Sequence, residues 1–244
     1  MRYNKEGGFT ALTSHWLVPT QKLSETSSGG ANNSRHTLTA TEYAKVYTPG
    51  NELYNNFREE LAIEAEFIGM LKNYGISVIY RPLHECNYGS FWWCINTENS
   101  ITPSMVATLY NYVHDYFTND CGLDNIIWQF NADAKHDTSS LVSPANVDML
   151  SLDCYLTDVI DLGIPADYEN LSKICGDKTF AISEFYAVDP GEYGYNITSM
   201  LNRLEKDFKY KFAYLGIYCD LENLAVSVLP SSVLTLSDTA DISR

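Results

Sequence analysis

The chain is poor in basic residues and has no long apolar run. Its 244 residues include 16 Lys and Arg against 31 Asp and Glu, a formal net charge of −15. A surface this acidic repels the phosphates of nucleic acids and the anionic headgroups of membranes, so neither is an expected partner. No run approaches the roughly 18 apolar residues of a membrane-spanning helix. Residues 1–8 (MRYNKEGG) lack the apolar core of a signal peptide, so we expect no leader in the chain as written.

Paired cysteines are also missing. The six cysteines lie far apart, without the CxxC spacing of a zinc site, at Cys86, Cys94, Cys121, Cys154, Cys175 and Cys219. We therefore expect no structural metal and no cofactor. With 45% hydrophobic residues the chain can bury a full core without disulfides, so we expect mostly reduced thiols. The expected organisation is a single domain over residues 1–244.

Short β-rich apolar runs alternate with helical patterns along the chain. This alternation predicts an α/β fold in which helices cover a parallel sheet. Six strands are predicted, at residues 9–14, 77–81, 125–130, 148–153, 179–183 and 214–218.

Four stretches have the apolar spacing of helices that bury one face. The first covers residues 53–71 and is followed by Gly75, which is suited to the end of a helix. The second begins at Thr102, a capping residue with proline after it. The other two lie at residues 165–175 and 196–208.

The segment of residues 20–50, between the first two predicted strands, is rich in Ser, Thr, Asn and Gly. It is longer than a simple connection between elements. Two interpretations remain open at this point: the segment shapes a substrate cleft, or it is a disordered surface insertion.

Two glutamates directly follow predicted strands. Glu85 comes after SVIYRPLH and Glu184 after TFAIS, where an unpaired carboxylate would be costly to bury. In α/β folds, functional groups collect at the carboxyl ends of parallel strands. Paired carboxylates across a cleft are what glycoside hydrolysis requires. Each glutamate taken alone is equally explained by a salt bridge at a strand end, for which Arg81 is a candidate partner.

Aromatic residues surround the first glutamate. Phe91, Trp92 and Trp93 follow it closely, and sugar rings commonly stack on the faces of aromatic side chains. Two histidines, His15 and His84, also stand at strand ends. This neighbourhood favours a carbohydrate site over a structural salt bridge.

Four segments resemble glycoside hydrolase family 26, whose members are mostly β-mannanases. Residues 80–93 read YRPLHECNYGSFWW and resemble the family signature RPxHExN…FWW. Residues 7–16 (GGFTALTSHW) are similar to the family segment GGxxTxSxH, and residues 181–185 (AISEF) to its nucleophile strand. Residues 151–155 (SLDCY) correspond to the segment that carries a tyrosine beside the nucleophile.

The resemblance implies roles for individual residues. Glu85 would be the general acid/base and Glu184 the nucleophile of a retaining mechanism. The residues that would bind substrate are His15, His84, Trp92, Tyr155, Trp16, Asn87 and Tyr218. Trp92 is the expected stacking platform. Tyr218 stands where the family commonly has a tryptophan, and turn geometry would also explain Asn87.

The resemblance further implies a (β/α)8 barrel. The family has two βα units ahead of the segment that residues 7–15 resemble, so we expect an incomplete barrel of about six units. The expected function is endo-hydrolysis of β-1,4-mannosidic bonds in mannan, galactomannan or glucomannan, and the expected location is outside the cell or in a periplasm. The alternatives are a β-glucanase or β-xylanase of the same family, a carbohydrate-binding relative without activity, and an inactive fragment.

Overall fold

Six parallel strands form one sheet in the described part of the chain. The computed structural model describes residues 10–25, 34–134, 136–155, 164–186 and 212–217. The strands are β1 (Thr10–Thr13), β2 (Val78–Arg81), β3 (Ile126–Asp133), β4 (Met149–Tyr155), β5 (Thr179–Tyr186) and β6 (Phe212–Ile217). All six predicted strands are confirmed, with ends that differ by at most three residues.

The strands pair in the order in which they occur along the chain, from β1 to β6, and every pairing is parallel. A doubly wound sheet would reverse this order at a switch point. A sheet that continues in one direction with parallel strands has the order of a (β/α)8 barrel. The carboxyl ends of all six strands therefore lie at the same edge of the sheet.

Four helices are described: α1 (Ala40–Val46), α2 (Glu52–Asn73), α3 (Pro103–Asp115) and α4 (Ile164–Cys175). Helix α2 buries the predicted apolar face, with Phe57, Leu61, Ala65 and Ile68 against the core. It ends at Tyr74, and Gly75 has a φ of 69°, a left-handed conformation that suits glycine.

Helix α3 begins as predicted. Thr102 caps it by accepting a hydrogen bond from the Met105 backbone N–H, and Pro103 is the first helical residue. The predicted fourth helix, residues 196–208, lies outside the described residues. Strands β3 and β4 are joined by turns rather than by a helix in the described part of residues 134–148.

The described part of the 20–50 segment packs on the core. Leu38, Tyr43 and Val46 are buried, and the Tyr43 hydroxyl donates to the Trp93 carbonyl at 3.0 Å. The carbonyl of Ser34 accepts the Trp92 backbone N–H at 2.9 Å. The interpretation as a disordered surface insertion is therefore wrong for residues 34–50, which include the unpredicted helix α1.

The described residues contain no helix that is long and apolar enough to cross a membrane. Five cysteines have free thiols in the structure, Cys86, Cys94, Cys121, Cys154 and Cys175. The prediction of reduced thiols is confirmed for these five, and Cys219 lies outside the described residues.

Gly216 stands where β6 passes very close to β5. A Cβ atom at this position would lie 2.9 Å from the carbonyl carbon of Ser183 and closer still to its oxygen. Because backbone atoms cannot yield as a flexible side chain can, we expect Gly216→Ala to destabilise the protein by about 1–3 kcal/mol. Thermal unfolding followed by circular dichroism measures this loss.

Gly69→Ala is the matched control for Gly216→Ala. Gly69 lies inside α2, and a Cβ there would meet only the Leu123 Cδ2 atom at an ordinary 3.7 Å. Alanine is the better helix former by about 1 kcal/mol, so this variant is expected to unfold at the same or a higher temperature. Equal unfolding temperatures for Gly216→Ala and the wild type would contradict the close approach of β5 and β6.

Candidate active site

A strained turn after β2 carries the first candidate glutamate. All four residues of β2 are buried, and the chain turns directly after Arg81. Leu83 and Glu85 have φ values of 53° and 51°, left-handed conformations that are uncommon for residues with side chains. Strained conformations of this kind are held in place only by strong surrounding contacts, and they are frequent at functional sites.

Strand register brings the acidic residues together. Asp133 of β3 pairs with Asp153 of β4, which in turn pairs with Glu184 of β5. The β4–β5 register shifts after Leu152, so that Ser183 is an extra residue in β5. Bulges of this kind re-aim side chains and are common next to active sites.

The carboxylates form a compact group. Glu85, Asp153 and Glu184 each offer one oxygen that lies within 4.8 Å of the others. The guanidinium of Arg81 lies against this group, with Nη1 donating to Asp153 and Nη2 donating to Glu184. Arg81 and Asp153 are fully buried, and Glu85 is only 8% exposed. Glu184 keeps a partly exposed side chain.

The environment keeps a proton on Glu85. Burial raises the pKa of Glu85 to about 8, and the negative charges of Asp153, Asp133 and Glu184 add to this effect while Arg81 opposes it. Burial lowers the pKa of Arg81, but its two carboxylate partners raise it above the ordinary value. Arg81 therefore stays charged, and Glu85 stays protonated at neutral pH.

Asn131 joins the two sides of the site. Its Oδ1 atom accepts the backbone N–H of Glu85 at 2.7 Å, and its Nδ2 atom donates to Asp153 Oδ1 at 3.0 Å. The same Nδ2 atom contacts the hydroxyls of Ser151 and Ser183 at 2.9 and 3.3 Å. Since Asn131 is completely buried, these bonds fix the backbone of Glu85 relative to β4 and β5.

Two histidines lie beside the carboxylates. The rings of His15 and His84 meet edge to face with their centroids 4.6 Å apart. Burial, followed by the charge of Arg81, lowers the pKa of His84 well below its ordinary value. Partial desolvation also lowers the pKa of His15. Both rings are therefore neutral at pH 7.

The hydrogen bonds of Thr13 assign the tautomer of His84. The Thr13 hydroxyl donates to the Arg81 carbonyl at 3.1 Å, and His84 Nδ1 lies 3.1 Å from the same hydroxyl oxygen. A hydroxyl has one hydrogen to donate, so Nδ1 of His84 is the donor in the second contact. The Nε2 atom of a neutral His84 is then an acceptor.

The predicted stacking platform is wrong. Trp92 is 0% exposed and packs between Tyr43 and Phe57, at 6.1 and 5.3 Å between ring centroids. Its Nε1–H donates to the Trp16 carbonyl at 3.2 Å. A side chain without an exposed face cannot stack on a sugar, so Trp92 is part of the core that supports the turn.

The other aromatic residues of this region are buried as well. Phe91 stacks on Trp93 at 4.6 Å, and Trp16 packs edge to face on both Phe57 and Trp93. Trp16 is therefore also corrected from a substrate-binding residue to a core residue. The exposed aromatic ring of this segment is Tyr88, which lies 4.9 Å from the ring of His136. The sequence analysis did not select it.

Asn87 holds the loop after β3 against the turn after β2. Its Nδ2 atom donates to the Asp133 carbonyl at 2.9 Å, and its Oδ1 atom accepts the Asp133 backbone N–H at 2.8 Å. A further contact joins Nδ2 to the His136 carbonyl at 3.2 Å. Both ends of the amide thus bond the loop after β3, and the sugar contact of Asn87 stays a prediction.

A cavity of about 210 Å³ opens beside the carboxylates. Residues of β1, β2, β3, β5 and β6 line it, among them Thr13, Arg81, Gln129, Glu184 and Tyr214. The Tyr214 hydroxyl donates to Gln129 Oε1 at 2.8 Å. Of the remaining predicted residues, Tyr155 ends β4 with its side chain outside the description, and Tyr218 lies outside the described residues.

The three carboxylates are close enough to ligate a hard metal ion. Arg81, however, already bonds two of them, so a bound cation would lie next to a fixed positive charge. Arg81 supplies charge compensation that a metal would otherwise provide. The expectation of a site without metal stays a prediction.

The sequence matches the model of glycosyl hydrolase family 26 over residues 1–233. The chain belongs to this family. Among the curated relatives of this family 26 protein, a mannan endo-1,4-β-mannosidase of Bacillus subtilis is 29% identical over 187 residues, which are 75% of this chain and 48% of the relative. A mannan endo-1,4-β-mannosidase of Caldalkalibacillus mannanilyticus is 27% identical over 184 residues, 73% of this chain and 34% of the relative. The chain spans half or less of the length of these two relatives.

Solved structures of family 26 agree with the fold. The mannanase BCman of Bacillus subtilis superposes with a TM-score of 0.74 and 26% identity, over 90% of this chain and 62% of that one. A β-mannanase from a symbiotic protist of the termite Reticulitermes speratus, solved with a gluco-manno-oligosaccharide, gives a TM-score of 0.63 at 22% identity. The six parallel strands are therefore an incomplete (β/α)8 barrel of the family 26 type.

The sequence analysis missed two buried residues of this family 26 site. Asp153 and Asn131 connect Glu85, Arg81 and Glu184, yet neither was selected as a functional residue. Both are polar residues inside otherwise apolar strands, which is the signal that could have identified them, because a buried polar group requires partners.

Proposed function

We propose that this protein is an endo-acting glycoside hydrolase that cleaves β-1,4-mannosidic bonds with retention of configuration. The observation that supports this most is the spacing of Glu85 and Glu184, whose nearest oxygens lie within 4.8 Å. Retaining glycosidases hold their two carboxyl groups about 5–5.5 Å apart, whereas inverting enzymes need about 6.5–9.5 Å to admit a water molecule.

In the first step, Glu184 attacks the anomeric carbon while Glu85 protonates the departing glycosidic oxygen. Because its pKa is raised, Glu85 still carries this proton at neutral pH. Arg81 holds one oxygen of Glu184, which places a positive charge beside the nucleophile and fixes its orientation. The product of the step is a glycosyl ester on Glu184, and the leaving group departs with the proton of Glu85.

In the second step, Glu85 acts as a base. The ester has removed the negative charge of Glu184, which is one of the charges that raise the pKa of Glu85. The pKa of Glu85 therefore falls at this stage, and its carboxylate takes a proton from the incoming water. Water cleaves the ester, and the proton remains on Glu85 for the next cycle.

The proposed substrates are mannan, galactomannan and glucomannan. The two curated relatives described above are named for mannan, and one solved relative carries a gluco-manno-oligosaccharide. His15 and Tyr88, whose side chains are exposed, are the groups we assign to sugar binding. His84 is only 2% exposed and packs against His15, so we assign it to holding the His15 ring. From the proposed polymer substrate we also propose a location outside the cell or in a periplasm.

A second candidate function is carbohydrate binding without turnover. The observation that favours it is the incomplete barrel, in which β1 pairs only with β2 among the described residues. Catalysis needs the carboxylates held to within a fraction of an ångström, whereas binding tolerates looser geometry.

Reducing-end release from glucomannan and galactomannan by the purified chain tests the proposal. We expect release from both, with the β-anomer of the new reducing end appearing first in ¹H NMR spectra. A folded chain that binds these polymers in affinity electrophoresis but releases no ends would contradict hydrolysis and support the binding function. Activity confined to β-glucan or β-1,3-xylan would contradict the substrate assignment alone.

A further inference from the structure

Every fourth residue of α2, from Glu52 to Glu64, bonds the segment that follows β1. Lys22 lies 3.1 Å from Glu52, and Asn56 Nδ2 donates to the Pro19 carbonyl at 2.8 Å. Both carboxylate oxygens of Glu60 accept the Leu17 backbone N–H at 3.1 Å. Because residues four apart share a face of a helix, residues 14–22 are laid along one side of α2.

Glu64 makes the most contacts of this series. Its carboxylate accepts the Ser14 hydroxyl on Oε1, and on Oε2 it accepts the Trp16 Nε1–H at 2.9 Å and the Tyr80 hydroxyl at 2.8 Å. Burial raises the pKa of Glu64, and its three hydrogen bonds oppose this rise. The Trp16 Nε1–H can only donate, so Oε2 of Glu64 is the acceptor in that bond. Glu64 thereby ties the end of β1 to β2 through side chains alone.

The segment held in this way carries His15. Ser14 and Trp16, the two neighbours of His15, are both bonded to Glu64, and the Trp16 ring is locked in the core against Phe57. His15 itself is exposed and lies against His84 and Phe91, at 4.6 and 5.3 Å between ring centroids. The carboxylate of Glu184 is near enough to act on the pKa of His15.

We propose that Glu64, with help from Glu60, is a positioning residue that sets the place of His15 beside the carboxylates and thereby controls affinity for the sugar. The proposal rests on the proposed function, because it assigns His15 to the substrate site. Glu64 itself makes its bonds to Ser14, Trp16 and Tyr80, and it acts only through the segment that it holds.

Glu64→Gln is the variant that tests this role. The amide keeps the shape of the carboxylate but has one acceptor oxygen instead of two, so it loses the charge and at least one of the three contacts in which Glu64 accepts. We expect KM for mannohexaose to rise by roughly tenfold with a much smaller change in kcat, because a displaced binding residue weakens binding of substrate and transition state alike. Glu66→Gln, an exposed position of the same helix, is the control and should change neither constant.

A double-mutant cycle separates positioning from general damage. If Glu64 acts through His15, adding Glu64→Gln to His15→Ala has no further effect on KM. Additive effects in the double variant, or a loss of kcat with unchanged KM, would overturn the proposal. If Glu64→Gln does not fold, Glu60→Ala takes its place with the same expected split, because it removes the acceptor of the Leu17 backbone N–H.

A readout without turnover distinguishes this proposal from the proposed function. The ¹H–¹⁵N ring signals of His15, assigned by their loss in His15→Ala, are expected to move in Glu64→Gln and to stay in place in Glu66→Gln. An inactive wild type with shifted His15 signals would defeat the hydrolase function and leave the positioning of His15 intact. Unshifted signals in a folded Glu64→Gln variant would defeat the positioning role whatever the activity.

Discussion

Glu184→Ala is expected to abolish reducing-end release from glucomannan while the chain stays folded. Without the carboxylate no glycosyl ester forms, and loss of a covalent nucleophile typically costs about 10⁴-fold or more in kcat. Folding should survive, because Arg81 keeps its contact with Asp153 when Glu184 is removed. The measurement is release of reducing ends, together with a circular dichroism melt.

The controls for Glu184→Ala address the mechanism as well as the fold. Glu169→Ala removes an exposed carboxylate from α4 and should leave activity unchanged. Azide fits the space left by the Glu184 carboxylate, so it should restore turnover of an activated aryl mannoside in Glu184→Ala and give a product of opposite anomeric configuration. Full activity of Glu184→Ala without azide would rule out Glu184 as the nucleophile.

The strands could be predicted from the sequence because runs of apolar and β-branched residues are a local signal. The ends of β3 and β5 could not, since these strands continue past their predicted ends through Asp133 and Glu184, on either side of the buried Asp153. Burying such residues depends on Arg81, which is 72 residues away from Asp153 and 103 from Glu184. A pattern within one segment does not reveal a partner at that distance.

The aromatic residues near Glu85 show the same limit of sequence-based prediction for substrate binding. A buried tryptophan and a tryptophan that stacks on a sugar give the same sequence pattern. Only the residues that pack over the ring in the folded protein distinguish the two. Trp92 is covered by Tyr43 and by the backbone around Ser34, from a segment whose polar composition favoured a loop. The motif at residues 80–93 therefore led to Glu85, which the fold brings close to Glu184, but its Trp92 belongs to the core and not to a stacking platform.

Activity is expected to fall as the pH rises through about 8. The pKa of Glu85 is raised to about 8, and a general acid must carry its proton in the free enzyme, so kcat/KM is retained below this pH and lost above it. The pKa of Glu85 in the folded protein lies above the value of about 4.3 for a glutamate in the unfolded chain. The stability that Glu85 contributes is thus fully present below about pH 4 and is also lost as the pH passes about 8.

Glu85→Gln separates these two effects. The neutral amide imitates the protonated acid, so the variant should resist unfolding near pH 9 at least as well as the wild type does, while kcat/KM falls by about 10²–10⁴-fold. The fall should be smaller for an aryl mannoside with a good leaving group, because such a group needs little protonation. An equal loss on both substrates would contradict the role of Glu85 as the general acid.

Asp133 offers a way to move the basic limb of the pH profile without touching Glu85. Its charge is one of those that raise the pKa of Glu85, so Asp133→Asn should shift the loss of kcat/KM to lower pH. Asp137→Asn is the matched control, because Asp137 is exposed shortly after Asp133, is bonded to Ser139, and is not one of the charges acting on Glu85.

Two outcomes would contradict this prediction. If the basic limb stays at the same pH in Asp133→Asn but disappears in Glu85→Gln, Glu85 is still the titrating acid and the influence of Asp133 is refuted. If Asp133→Asn and Asp137→Asn shift the limb equally, the loop acts through net charge alone, and the specific coupling across the β2–β3 edge of the site is wrong.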